Sequence, residues 1–166
     1  MKTFSVASTV LLSLTTIIFT AGCSESQSAW WQGMQANNFK SIGEFDKAIA
    51  CYDEEIKLQP QNAAAYMSRA QAYYGLQRWN RALADYNKAI ELDPKSSQYF
   101  TERGVTKLQL GLNEQGVADF SQAIALNPKD GNAFYNRAIA LDKLGKADLA
   151  NKDRQEVAKL GYNPEN

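Results

Sequence analysis

The chain has 166 residues, 45% hydrophobic and 22% charged, the proportions of one folded domain; they exclude a disordered polymer and a multi-span membrane protein. Eighteen basic and eighteen acidic residues cancel, which leaves no basic surplus for a nucleic-acid backbone. His is absent, so the commonest metal ligand and the commonest general base are missing together, and neither metal nor cofactor is expected.

The first 22 residues read as a targeting leader: one early Lys2, no charge from Phe4 to Ala21, then small residues before Cys23. The ending Thr20-Ala21-Gly22-Cys23 resembles the bacterial lipoprotein cleavage box, with Thr20 where that box usually carries Leu. The resemblance implies cleavage before Cys23, diacylglycerol on its sulfur, and acyl chains that hold the protein to a membrane. Ser24 after the Cys is similar to the outer-membrane class, facing the periplasm. Ordinary secretory cleavage and an uncleaved anchor are the alternatives, since the uncharged stretch could just span a bilayer. Residues 23–28 then form a lipidated Cys and a polar tether reaching about 20 Å at most.

From residue 29 a period of 34 residues takes over. Pro60, Pro94 and Pro128 share one position; so do Leu58, Leu92, Leu126 and Leu160, and Ala48, Ala82, Gly116 and Ala150. A fixed period of this length is the mark of a solenoid. Within a period the apolar residues keep helical spacing, Tyr66, Ala70 and Tyr73 and then Leu83, Tyr86 and Ile90, so each unit is a pair of helices. Helices are expected near 29–42 and 45–58, 63–76 and 79–92, 97–110 and 113–126, and 131–144 and 147–160. Ser28, Asn62, Ser96 and Asp130 stand ready to cap the first helix of each pair. Gly43, Gly111 and Gly145, with Gln77 as the exception, supply the turns, and the prolines close the second helices.

These residues resemble the tetratricopeptide repeat family: small residues at Ala70, Ala82 and Ala89, aromatics at Tyr73 and Tyr86, then Pro94. The resemblance implies an all-α, right-handed α-solenoid of four repeats, 29–62, 63–96, 97–130 and 131–166, the last capping itself. It also implies a concave side lined by the first helices.

Arg69, Arg103 and Arg137 each precede an acid by 16 residues, Asp85, Asp119 and Asp153, and should tie first helix to second as structural ion pairs. In repeat one both members change, to Gln35 and Cys51, and Cys51 reads as a small buried apolar residue. Repeat three departs most, with Lys107 where Phe39, Tyr73 and Leu141 stand and Gly116 in place of Ala, so the seam around it should open most readily.

On the concave side the register places Asn37, Met67, Gln71, Tyr74, Thr101, Val105, Leu108, Tyr135 and Ile139, with Trp30 or Trp31 at the N-terminal lip. An apolar and aromatic row facing water marks a surface for a protein or peptide partner, although Val105 and Ile139 could equally be core. One branch of the family grips a carboxylate tail with lysines and an arginine; here Gly33, Gln98 and Glu102 stand at those places, which rejects that mode. Asp53, Glu54, Glu55 and Glu91 read as solvated charges on outer faces, and no catalytic constellation is present. A lipid-anchored envelope adaptor is therefore expected, with self-association through Trp30 and Trp31 as the alternative.

Overall fold

The computed structural model describes residues 25–163, and the expected leader with Cys23 lies outside them. Among the described residues eight helices follow one another: α1 (Glu25–Ser41), α2 (Phe45–Leu58), α3 (Ala63–Gly75), α4 (Trp79–Leu92), α5 (Ser97–Gln109), α6 (Asn113–Leu126), α7 (Gly131–Lys143) and α8 (Ala147–Leu160). From α2 onward their bounds fall within a residue of those expected. The exception is α1, which takes in Glu25 to Ser28; that part of the expected tether is helical, and Ser28 is not a cap. Ser, Glu and Gln are all tolerable in a helix, and apolar periodicity, the cue for a boundary, has nothing to report in so polar a run.

The local chemistry of the ends is uneven. Asn62 accepts a hydrogen bond from the Ala64 amide at 3.2 Å and Asp130 from the Ala133 amide at 3.0 Å, whereas Ser96 makes no side-chain cap bond. The turns within each pair are uniform: Gly43, Gln77, Gly111 and Gly145 all sit at positive φ, between 57° and 79°. Gln77 therefore holds the left-handed conformation that its three counterparts leave to glycine, at some steric cost.

Neighbouring helices pack in series from α1 to α8, each against the next. First helices also approach one another across repeats, α1 to α3 and α5 to α7, while successive second helices make no comparable approach. The stack therefore bends with the first helices on the inside, an all-α solenoid. Its interior is a ladder of second-helix aromatics: Tyr52, Tyr86 and Phe120 are fully buried, each among small residues such as Ala36, Ala70 and Ala140. Burying each ring contributes roughly 2–3 kcal/mol. At the fourth rung Arg154 replaces the aromatic and pairs with Asp142 at the surface, so the apolar ladder stops there. Tyr162, just past α8, folds back over Gly131, where an added Cβ would collide with its own.

Each of the three arginines is a fork. Arg69 places Nε and Nη2 on the Asp85 carboxylate at 2.8 and 2.7 Å; Arg103 does the same to Asp119 at 2.9 and 2.7 Å, and Arg137 to Asp153 at 2.8 and 2.7 Å. The remaining nitrogen reaches back to the preceding repeat: Nη1 of Arg69 to Asp53 at 2.6 Å, of Arg103 to Asn87 at 2.8 Å, and of Arg137 to Ser121 at 3.1 Å. Beneath the guanidinium lies an aromatic three residues earlier, Tyr66, Phe100 or Phe134, at 5.5–5.6 Å. Asp53 is thus an acceptor in this ladder and not a merely solvated charge.

The two oddities of repeat three have partners. Lys107 Nζ lies 2.7 Å from Asp119, giving that buried carboxylate a second cation. Gly116 makes room for Leu108, whose Cδ2 would stand 2.9 Å from an added Cβ. Neither departure is a plain loss of packing. Cys51 is a free, half-buried thiol packed against the repeat-one core, and burial raises its pKa.

Candidate functional site

The inner face is a shallow groove running over α1, α3, α5 and α7. Along its middle, half-buried Met67, Tyr74, Val105, Tyr135 and Ile139 offer apolar area beside polar neighbours. Tyr74 meets Trp79 edge to face with ring centroids 4.6 Å apart, and its hydroxyl accepts from Gln109 Nε2 at 3.1 Å. Tyr135 leans on Tyr162 at 6.2 Å. Met67 rests on the cluster of Ala70, Ala82 and Tyr86, and Val105 and Ile139 rest on the next one.

Two residues expected on this surface are not there. Leu108 is only 8% exposed, driven into its own hairpin by the space at Gly116. Thr101 is 3% exposed, its hydroxyl 3.2 Å from both the Ser97 carbonyl and the Asp130 carboxylate. Asn37 remains exposed, but its carbonyl oxygen already accepts from the Tyr52 hydroxyl at 2.7 Å; burial pushes that phenol up to about 12.

A polar chain that sequence reasoning did not assemble crosses three repeats. Lys40 Nζ donates to Gln71 Oε1 at 2.8 Å, and Gln71 Nε2 donates on to Glu102 Oε1 at a long 3.4 Å. Burial lowers the Lys40 pKa and raises that of Glu102, each partly countered by the other's charge. Beside them the Tyr86 hydroxyl is buried without a hydrogen-bond partner, and burial pushes its pKa up. The spacing of 31 residues that joins Lys40 to Gln71 and Gln71 to Glu102, three short of the repeat, is the signal that could have revealed this chain.

Glu55 also departs from expectation. It is 8% exposed and inside, with Asn62 Nδ2 donating to Oε1 at 3.0 Å, and burial raises its pKa. It forms the floor of a cavity of about 330 Å³ at the N-terminal end of the groove, walled by Trp30, Gly33, Met34 and Asn37. Among the described residues no cluster of His, Cys, Asp and Glu could hold a metal, and no helix is long and apolar enough to cross a membrane.

Three family models, each described as a tetratricopeptide repeat, match residues 34–97, 97–130 and 120–150. No curated protein matches the chain in sequence. Among solved structures, a crystal structure of MamA superposes with a TM-score of 0.71 at 22% identity, over 75% of this chain and 73% of that one, and speaks to the fold alone. The first TPR of Spaghetti (RPAP3), bound to the HSP90 peptide SRMEEVD, gives 0.70 at 26% identity over 72% of this chain and 95% of that one. The second TPR domain of human RPAP3, in complex with the HSP70 peptide SGPTIEEVD, gives 0.68 at 28% over 70% and 98%. With the repeat models running from residue 34 to 150 and eight helices in the matching arrangement, the chain belongs to the tetratricopeptide repeat proteins.

Proposed function

We propose that the protein is an adaptor that holds a segment of another protein in its inner groove and is tied by Cys23 to the bacterial envelope, in the outer membrane facing the periplasm. The observation that carries the groove reading is the row of half-buried Met67, Tyr74, Val105, Tyr135 and Ile139 on the inside of the bend. A partner chain would complete the burial of those side chains. Similar domains hold HSP90 and HSP70 peptides, which supports the same mode of use here. The occupant differs in charge: Gly33, Gln98 and Glu102 stand where the lysines and arginine of a carboxylate grip would be, so a carboxylate tail meets no such set of cations here. The layout of the leader supports the anchor, and an assembly factor, secretion factor or scaffold for cell-wall enzymes are the roles it fits. The protein reads as a binding module and not an enzyme.

The groove is tested with Met67→Ala plus Tyr74→Ala in the full chain, by capture from solubilised membranes. The variant should stay folded and lose its co-purifying partners; unchanged capture overturns the groove. Leu108 is no part of this test, because truncating a buried residue would confound binding with stability. The anchor is tested by mass spectrometry: a chain cleaved before Cys23 should gain the mass of its acyl chains, and Cys23→Ser should abolish both. Exposed Trp30 and Trp31, at 66% and 42%, favour self-association as a second reading. Light scattering on a form beginning at Ser24, which keeps all eight helices, decides it: a monomer at high concentration rules it out.

A further inference from the structure

Repeat one breaks the pattern of its siblings at two facing positions. Where the second helices of the other repeats place Ala89, Ala123 and Val157, α2 places Glu55. Where their first helices place Met67, Thr101 and Tyr135, α1 places Gly33. The two exchanges answer each other: a Cβ on Gly33 would lie 2.8 Å from Glu55 Oε2, so the missing side chain is what admits the carboxylate. The result is the cavity of about 330 Å³ described above, large enough for one long side chain.

Its chemistry is one-sided. Glu55 Oε1 has Asn62 as donor, but among the described residues no Lys or Arg pairs with the carboxylate. A carboxylate taken out of water without a cation costs stability unless something neutralises it. The walls are Trp30, 66% exposed, and Met34, 42% exposed, an aromatic face and a thioether left open to solvent beside a buried charge. A methyl at position 55 would pack as Ala89 and Ala123 do, both fully buried, at no such cost.

We propose that this pocket is a specificity site for a cationic side chain, a Lys or Arg of the segment lying in the groove. Its ammonium or guanidinium sits on Glu55 and its methylene stem lies between Trp30 and Met34. Aromatic faces attract such cations, and a buried carboxylate supplies the partner charge. The inference builds on the groove reading for the source of that segment, but the pocket can be probed without it.

The experiment is an NMR titration of the full chain in detergent micelles with the N-acetyl, N′-methylamide derivatives of arginine, lysine and norleucine. The arginine or lysine compound should shift the Gly33 amide and Trp30 indole resonances saturably, at a concentration at least fivefold below that needed for norleucine. Glu55→Gln should erase that preference. Equal response to norleucine, or an undiminished preference in Glu55→Gln, overturns the site. Glu55→Ala should melt no lower than the parent, because it installs the residue used by repeats two and three; a lower melting temperature makes Glu55 a brace for Asn62 and overturns it as well. In the Met67→Ala plus Tyr74→Ala variant the arginine preference should persist while partner capture is lost, so the pocket and the groove fail separately. A dimer that Glu55→Gln disperses would give the cation to a second copy and overturn its assignment to a partner segment.

Discussion

Repeats one and two have second helices of equal length and opposite ways of holding together. Repeat two closes on a half-buried guanidinium, with Arg69 bonded to Asp85 in its own hairpin and to Asp53 in the one before. Repeat one has Gln35 and Cys51 at the corresponding places, no such bond, and a buried carboxylate at Glu55. The first unit of the described stack thus lends an acid, Asp53, to the shared ion pair without bringing a cation of its own, and has a pocket instead. In a solenoid, stability sums over units and the seams between them, so an end unit can carry a costly feature without breaking the chain of contacts.

The largest break in that comparison should come from Arg69→Ala. It leaves Asp85, almost buried, without its cation, and a loss of about 3 kcal/mol is expected in urea unfolding. Gln35→Ala, its counterpart in repeat one, should change stability by about 0.5 kcal/mol or less. A comparable loss at both positions would mean that the guanidinium fork is not what holds repeat two.

A double-mutant cycle on Gly33 and Glu55 sharpens the second difference. Gly33→Ala alone gains helix propensity but pushes the carboxylate aside, while in a Glu55→Ala background it should stabilise by about 1 kcal/mol, as an ordinary Gly-to-Ala change in a helix does. A coupling of about 1 kcal/mol is expected, and additivity would show that the two positions do not share one space. The turns differ less. Gln77→Gly should raise stability by about 0.5 kcal/mol, since only this turn pays for a side chain at φ 57°.

The last contrast is in pH. Repeat one has Met34 and repeats two and four have Ser68 and Asn136 where repeat three has Glu102. Burial raises the Glu102 pKa, so the folded state holds the proton more tightly than the unfolded chain, and stability falls as pH rises from the ordinary carboxylate value through the raised one. Glu102→Gln should therefore melt higher than the parent at neutral pH, with the gap closing on acidification. A gap that stays constant with pH assigns it to something other than ionisation.

Most of the helix boundaries were legible because Pro, Gly and Leu return at one spacing, and those residues act on their own backbone. The arginine forks were half legible. The 16-residue step to the acid is plain, and the same step backwards to Asp53, Asn87 and Ser121 was equally available once each guanidinium nitrogen is given an acceptor. The groove was less so, because exposure of one residue depends on the volume of another. Leu108 sinks because Gly116 is small, and Thr101 turns inward because Asp130 accepts from it. Glu55 looked like any surface acid on its helix, and only Gly33, 22 positions earlier, makes it an interior one.

The backward bond of each arginine has a consequence for how such an array can change length. The second and third rungs each bring a cation, an acid and an acceptor for the rung that follows, so residues 97–130 could be duplicated in tandem and the newcomer would find both neighbours already fitted to it. The first rung cannot be copied inward on the same terms, since it brings no cation to reach back with. Growth of the array by whole units is open in the middle and closed at the start.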